Sequence, residues 1–80
     1  MPHTILRIHT VMNRSGYSRS TVYLRIIQGL WTPPISLGAR SSGWPDYECD
    51  SLNAARISGK TDDEIRDLVI KLKSARKAAV

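Results

Sequence analysis

Short hydroxyl side chains and arginines lie close together near the start of this 80-residue chain. Residues 18–23 read Ser-Arg-Ser-Thr-Val-Tyr, so donors of different reach are clustered in one short segment. Hydroxyl and guanidinium groups are the groups that proteins place against phosphate oxygens, and arginine also pairs with the edge of guanine. The pattern predicts nucleic-acid contact, with the following candidates: Arg14, Ser18, Arg19, Ser20, Thr21, Tyr23, Arg25 and Arg40.

These residues also have ordinary structural interpretations. Ser18 can cap a helix, Tyr23 can pack against a core, and exposed arginines can simply keep a small protein in solution. Capping and DNA contact are compatible roles. The structural interpretations therefore weaken the assignment to DNA contact mainly for Ser18. For Arg40, a wing tip in a minor groove and an exposed turn residue are equally good interpretations.

The net charge of +5 is unevenly distributed along the chain. Residues 1–45 contain five arginines and no Asp or Glu, whereas residues 46–80 contain seven basic and seven acidic residues. The whole excess of positive charge therefore lies in the first part, where it would attract a polyanion. A basic composition is common among small proteins, so the charge favours such a partner without defining it.

Catalytic, metal-binding and membrane functions find little support in the sequence. Cys49 is the single cysteine, and it is expected to pack as a small apolar residue rather than to act as a nucleophile. His3 and His9 lack the ligand spacing of a metal site and are expected at the surface. No apolar run approaches the ~18 residues of a membrane span, and the first residues lack a signal-peptide pattern. A cytosolic protein that is not an enzyme and uses no cofactor is expected.

The first part of the chain predicts two short helices joined by a turn. Residues 5–8 form an apolar run, which is interpreted as an edge strand or a cap on the core. One helix is predicted from Thr10 to a stop at Gly16, and a second from an N-cap at Ser18 to a stop at Gly29. A helix pair whose second helix begins with polar and cationic residues is typical of helix-turn-helix DNA-binding domains.

A hairpin and a third helix are predicted next. Apolar and small polar residues alternate in 35–37 and 41–44 around a Gly-containing turn, which indicates a β-hairpin with Arg40 near its tip. Pro45 is placed at the first position of a helix that ends near Gly59. The opening turns of this helix carry acids that suit the helix dipole rather than an acid/base pair: Asp46, Glu48 and Asp50.

The last part of the chain predicts an amphipathic helix. Thr61 and Glu64 have the spacing of a capping box at its start. The helix then carries an apolar stripe: Ile65, Leu68, Val69 and Leu72. Packing of this stripe onto the protein's own core is the favoured interpretation. The alternatives are a docking face, which would make the chain a protein-interaction module, and a homodimer interface, which would space DNA half-sites by about 10 base pairs or a multiple of that.

Taken together, these motifs resemble the AlpA family of prophage regulators, which belongs with the excisionase-like and MerR-like winged-helix DNA binders. The similarity covers roughly residues 5 to 57. It rests on the following motifs: Leu6-Arg7-Ile8, Ser15-Gly16-Tyr17-Ser18, Arg19 to Tyr23, Gly29 with Trp31, Pro33-Pro34, Leu37 to Arg40, and Gly43-Trp44.

The resemblance implies a mainly α fold with a small β-hairpin. A MerR/excisionase-like winged helix-turn-helix would occupy residues 1–59. The C-terminal amphipathic helix in residues 60–80 lies outside the family pattern, and it is predicted from its own apolar stripe to belong to the same domain. The implied function is that of a sequence-specific DNA-binding transcriptional regulator of a prophage or integrated element, with Ser18 to Tyr23 opening the recognition helix and Arg40 in the wing. Double-stranded DNA is the expected partner, with an integrase or recombinase, or RNA polymerase, as protein partners. Activation of integrase or excision genes and a direct excisionase-type action are both left open.

Overall fold

The computed structural model describes residues 4–78, and it describes side chains for residues 4–77. His3 lies outside the described residues. The elements in chain order are β1 (Ile5–Leu6), α1 (Ile8–Ser15), α2 (Arg19–Ile27), β2 (Ile35–Gly38), β3 (Ser41–Pro45), α3 (Asp46–Ile57) and α4 (Asp62–Ala78). A helix pair followed by a hairpin confirms the predicted fold, which is mainly helical with a small antiparallel sheet and resembles a winged helix-turn-helix.

The first helix, α1, begins earlier than the sequence predicts. The predicted start at Thr10 is wrong, because the helix begins at Ile8 with an extended Arg7 in the N-cap position. The earlier start lets Ile8 pack against the core. The predicted end is confirmed, since Gly16 adopts a φ of 77° and its N–H bonds to the Met12 carbonyl. A left-handed residue of this kind is a common helix ending that favours glycine.

The second helix, α2, has the predicted termini. The Ser18 hydroxyl oxygen accepts a hydrogen bond from the Thr21 backbone N–H at 3.3 Å, as an N-cap should. At the other end Gly29 has a φ of 78° and follows the last turn. Val22 anchors the helix in the core with no exposed surface. One side of α2 is therefore fixed, and its N-terminal turn remains at the surface.

The three strands form one small antiparallel sheet with β3 in the centre, in the order β1-β3-β2. Leu6 pairs with Trp44 across β1 and β3, and Ile35 pairs with Gly43 across β2 and β3. Because side chains alternate between the faces of a strand, Leu6 and Trp44 both point into the core, where each is buried.

The position predicted for Pro45 is wrong by one residue. Pro45 is the last residue of β3, where it pairs with Ile5, and it has the extended backbone of an N-cap rather than the helical backbone of a first turn. Because a proline has no N–H to donate to the ladder, it is restricted to positions in a sheet where that hydrogen bond is not needed, such as the end of a strand. The helix that follows, α3, runs directly from this strand, which fixes the hairpin to the body of the protein.

The core collects side chains from every helix and from the sheet. Its buried apolar members are Leu6, Val11, Val22, Leu30, Trp31, Trp44, Cys49, Leu52, Ala55, Ile65, Val69 and Leu72. Ile65, Val69 and Leu72 of the α4 stripe are thus buried against the same chain, and Leu68 packs at the edge of this core. The stripe thus packs on the protein's own core, which is the interpretation favoured from the sequence.

Candidate nucleic-acid interface

Three hydroxyl groups meet at the N-terminus of α2. The Ser18 Oγ lies 2.9 Å from Thr21 Oγ1 and 3.3 Å from Ser20 Oγ. Ser18 and Ser20 are exposed, Thr21 is half-buried, and the first turn of the helix contains no acid. The start of a helix presents free backbone N–H groups and the positive end of its dipole, so this turn has the chemistry to hold a phosphate.

Arg19 lies beside this hydroxyl group and contacts His9 of the neighbouring α1. Its guanidinium Nη2 is 3.3 Å from His9 Nε2, and both residues are exposed. An arginine can only donate, so this contact requires His9 Nε2 to act as the acceptor. The contact directs a long cation along the surface between α1 and α2, and no local pattern predicts this contact for His9.

Tyr23 links α2 to the sheet. Its ring meets the buried Trp44 ring edge-on, with the centroids 6.3 Å apart, and 41% of Tyr23 remains exposed. Trp44 in turn donates its indole N–H to the Thr32 carbonyl at 2.8 Å. The two sequence interpretations of Tyr23 therefore coexist, because its ring packs while part of the side chain stays accessible next to α2.

Arg25 is directed back onto the protein rather than outward. Its guanidinium carbon lies 5.6 Å from the centre of the Tyr17 ring, an attractive cation–π contact. Its Nη1 donates to the Gln28 side chain at 3.4 Å, and its Nε is buried with no partner within the described part of the chain. These contacts make Arg25 the least accessible of the candidate cations on α2.

Arg14 lies at the end of α1 and faces α3. Its Nη1 is 3.3 Å from an Asp50 carboxylate oxygen, and the two side chains are 45% and 63% exposed. An ion pair this exposed is screened by water and contributes little to stability. The contact therefore leaves the Arg14 side chain able to exchange Asp50 for another anion.

The hairpin of β2 and β3 carries Arg40 at its turn, as predicted. Gly38 and Ala39 have positive φ values of 98° and 47°, and a bulge interrupts the register between Ser36 and Gly38. Arg40 is exposed, and none of the described residues gives it a hydrogen bond or ion pair. The other predicted cations each make a polar or cation–π contact with a side chain among the described residues, whereas Arg40 does not.

A close approach of two strands makes Gly43 necessary in the central strand. A Cβ at this position would lie 2.6 Å from Ile5 Cγ2 and 2.8 Å from the Leu6 carbonyl oxygen. Since real Cβ atoms do not approach backbone oxygens so closely, a side chain here would push β1 away from β3. Gly43 thus keeps the hairpin against the body of the protein.

Glu48 lies in the first turn of α3, as expected for a helix-start charge, but its burial was not predicted. Glu48 is fully buried and accepts two hydrogen bonds from Arg76 of α4, at 2.7 Å to Oε2 and 2.6 Å to Oε1. Arg76 also donates to the Pro33 carbonyl at 2.7 Å. A signal for this burial was present, because Glu48 precedes the core residue Leu52 by four positions and so shares its helix face.

Cys49 is a free, buried cysteine on α3. Burial raises the pKa of the Cys49 thiol, the nearby Asp50 adds to this, and Arg14 partly opposes it. The thiol therefore stays protonated and unreactive. No group of side chains within residues 4–77 could hold a metal ion, and no helix in the described range is long and apolar enough to cross a membrane.

An exposed polar helix start, a helix pair and a cationic hairpin together define a small winged helix-turn-helix-like protein. Residues 4–56 match the family described as "Prophage CP4-57 regulatory protein (AlpA)". The chain belongs to this family of prophage regulatory proteins, which confirms the resemblance drawn from the sequence.

One curated relative is similar over most of the same region. "Uncharacterized protein ORF88" of Enterobacteria phage P4 is 40% identical over 55 residues, which cover 69% of this chain and 62% of that protein. The match therefore spans well under the full length of the relative. No solved structure matches the chain at a significant level.

Proposed function

We propose that this chain is a sequence-specific double-stranded DNA-binding transcriptional regulator of a prophage or integrated element. In this proposal α2 is the recognition helix and enters the major groove, while the β2–β3 hairpin is a wing that contacts the neighbouring backbone or minor groove. The family gives the regulatory and phage context. The contacts of individual residues with DNA are inferred from the arrangement of the side chains.

One observation carries the proposal: the cations of the first 45 residues have no acid among them in the sequence, and two of them are exposed where a duplex would lie. Arg19 lies at the start of α2 and Arg40 at the tip of the hairpin. Both could reach a phosphate or a base edge, because arginine has a long side chain with a planar donor fork. Helix and wing would then grip the duplex at two separate places.

The candidate residues divide by the contact each can make. Ser18, Ser20 and Thr21 have short side chains and are assigned to phosphates, where they set the register of α2 without reading sequence. Arg19 and Tyr23 are assigned to contacts within the groove. The other two arginines are assigned weaker parts, because Arg14 must leave Asp50 and Arg25 is packed on Tyr17.

Binding of labelled duplex by the full chain, measured over a range of salt concentrations, tests the proposal. If about four phosphates are neutralised per protomer, log K should fall against log salt with a slope near −4. Arg19→Ala and Arg40→Ala should each weaken binding by about fivefold and reduce the slope by about 1. Lys73→Ala is the matched control, since it removes one exposed positive charge from α4. A slope near zero, or no duplex bound at low salt, would refute the proposal.

The regulatory output is proposed to be activation of an integrase or excision gene, or direct shaping of DNA for excision. The first would involve RNA polymerase as a partner, and the second an integrase or recombinase. Both use the same DNA contacts, so Arg19→Ala should impair either one. A promoter reporter measures activation of the gene, and an excision assay with supplied integrase measures direct action on DNA. The chain should give a response only in the assay that corresponds to its role. Either role is consistent with the cytosolic location expected from the sequence.

A further inference from the structure

The last helix makes two arginine contacts with the parts of the molecule that are proposed to touch DNA. Arg66 and Arg76 are separated by ten residues of α4, which corresponds to about 15 Å along the helix axis. Arg66 reaches the end of α2, and Arg76 reaches the segment that leads into the hairpin. The helix α4 lies beyond the residues 4–56 that match the AlpA family.

The contact of Arg66 with α2 is made at the last turn of that helix. Its Nε donates to the Gln28 carbonyl at 3.0 Å, and its Nη1 bonds to Asp63 at 3.2 Å. The side chain lies along Gly29, where its Cγ would be 3.7 Å from an added Cβ. The last carbonyls of a helix have no partner within it, and a cation there also matches the dipole. Arg66 therefore ties the end of α2 to α4.

The contact of Arg76 with the base of the hairpin is made inside the protein. Its guanidinium is held by the Glu48 carboxylate in a two-point fork, and the same Nη2 donates to the Pro33 carbonyl at 2.7 Å. Only 21% of the Arg76 side chain is exposed, and none of Glu48 is. Pro33 lies two residues before β2. The preceding carbonyl, that of Thr32, is held by the Trp44 indole, so two consecutive carbonyls just before β2 are fixed.

We propose that α4 is a brace that sets the position of the hairpin relative to α2, with Arg66 and Arg76 as positioning residues for DNA binding. The inference rests on the proposed function, since it concerns how the two DNA-contacting parts are held. A duplex has a fixed geometry. A wing that is already held in place therefore adds the full free energy of its contact to binding, whereas ordering a loose wing costs part of that free energy. The brace acts through Pro33 and Gln28, and neither arginine needs to touch DNA.

A double-mutant cycle on the full chain tests this inference. Glu48→Leu combined with Arg76→Met removes the buried pair and the Pro33 contact together, and an apolar replacement of a buried ion pair commonly preserves stability. In the native background Arg40→Ala should weaken duplex binding by about fivefold. In the Glu48→Leu/Arg76→Met background it should weaken binding by less than about twofold, because the wing has already lost its fixed position.

Arg19→Ala separates positioning from a general loss of structure. Its cost should stay near fivefold in the Glu48→Leu/Arg76→Met background, since Arg19 lies on α2 and not on the wing. The matched control Lys73→Ala should leave the costs of both substitutions unchanged. If the double variant does not fold, Arg76→Lys takes its place, because lysine keeps the charge opposite Glu48 but cannot hold Glu48 and Pro33 with one planar fork.

The possible outcomes distinguish this inference from the proposed function. If Arg40→Ala has the same cost in both backgrounds, the brace is refuted and the proposed function stands. If Arg40→Ala has no effect on duplex binding in the native chain, the wing contact in the proposed function is refuted. Amide exchange gives a second readout: the Ser42 and Trp44 amides should exchange faster in Arg76→Lys while those of α1 do not, and unchanged hairpin exchange would also refute the brace.

Discussion

The two parts of this chain use arginine in different surroundings. Up to Pro45 the arginines have no acid beside them in the sequence, and Arg19 and Arg40 are exposed at a helix start and a turn. From Asp46 onward positive and negative charges are equal in number, and the arginines lie within reach of acids. They form the pairs Arg56–Asp62, Arg66–Asp63 and Arg76–Glu48.

This difference separates two physical roles of the same side chain. An arginine without a nearby acid keeps its charge available for an external anion. Removing water from its guanidinium on binding costs little, because that group is weakly hydrated. An arginine paired with a buried acid contributes to the fold, because its removal leaves the partner charge stranded in a poorly solvated place. We call the part up to Pro45 the front and the part from Asp46 onward the back. The comparison predicts that substitutions of front arginines change DNA binding directly. Substitutions in the back pairs change stability, and they affect DNA binding only through the position of the hairpin.

The largest expected effect in the back region follows from Arg76→Ala. Glu48 has no exposed surface and would lose its two-point partner, so the free energy of unfolding should fall by about 3–5 kcal/mol. Urea denaturation followed by circular dichroism measures the change. Arg56→Ala is the comparison variant, because its pair with Asp62 is partly exposed, and it should cost about 1 kcal/mol or less. Equal losses for the two variants would contradict the distinction between buried and exposed pairs.

A smaller effect is expected at the front, where Ser18 combines both roles. Ser18→Ala removes the N-cap of α2 and should cost about 1 kcal/mol, whereas Ser18→Gly should cost only a few tenths. Both variants lack the hydroxyl, so both should weaken duplex binding by a similar factor of about two. Thermal unfolding and duplex titration of the two variants give the separate measurements. Native binding by Ser18→Gly would show that the hydroxyl serves only the helix.

Much of the fold could be predicted because local chemistry determines it. Gly16 and Gly29 end helices through left-handed backbone, Ser18 starts one through its hydroxyl, and Thr61 with Glu64 forms the capping box that was expected. The hairpin was likewise predicted from alternation around a glycine turn. Each of these signals lies within a few residues of its effect, so no distant contact was needed to interpret it.

The contacts that position the candidate site could not be predicted in the same way. Glu48 and Arg76 are 28 residues apart, and Arg66 and Gln28 are 38 apart. An acid near a helix start suits the helix dipole, and this interpretation of Glu48 does not include a distant partner such as Arg76. The start of α1 was misplaced for a related reason, since Ile8 is drawn into the helix by the core rather than by a capping residue. Tertiary packing decided each of these cases.

The smallest expected effect is a pH dependence at the start of α4. The Thr61 backbone N–H and hydroxyl donate to the Glu64 carboxylate, and with help from the Lys60 charge they hold the pKa of Glu64 below its ordinary value. A carboxyl whose pKa is lower in the folded state adds stability above its unfolded pKa of about 4.3. That contribution is lost as the pH falls through the lower folded pKa, so the start of α4 should weaken only in acid.

Glu64→Gln tests this sign, because glutamine keeps a capping side chain that does not titrate. The variant should be slightly less stable than the native chain near neutral pH, and the difference should disappear only once the pH has fallen below the lowered folded pKa of Glu64. Thermal unfolding across this range gives the difference, and Asp67→Asn on the same exposed helix surface is the matched control, expected to lack the pattern. A difference between Glu64→Gln and the native chain that persists unchanged into acid would mean that the carboxylate charge contributes nothing to the cap. In that case the buried Glu48–Arg76 pair would be the main electrostatic evidence for the contrast with the front.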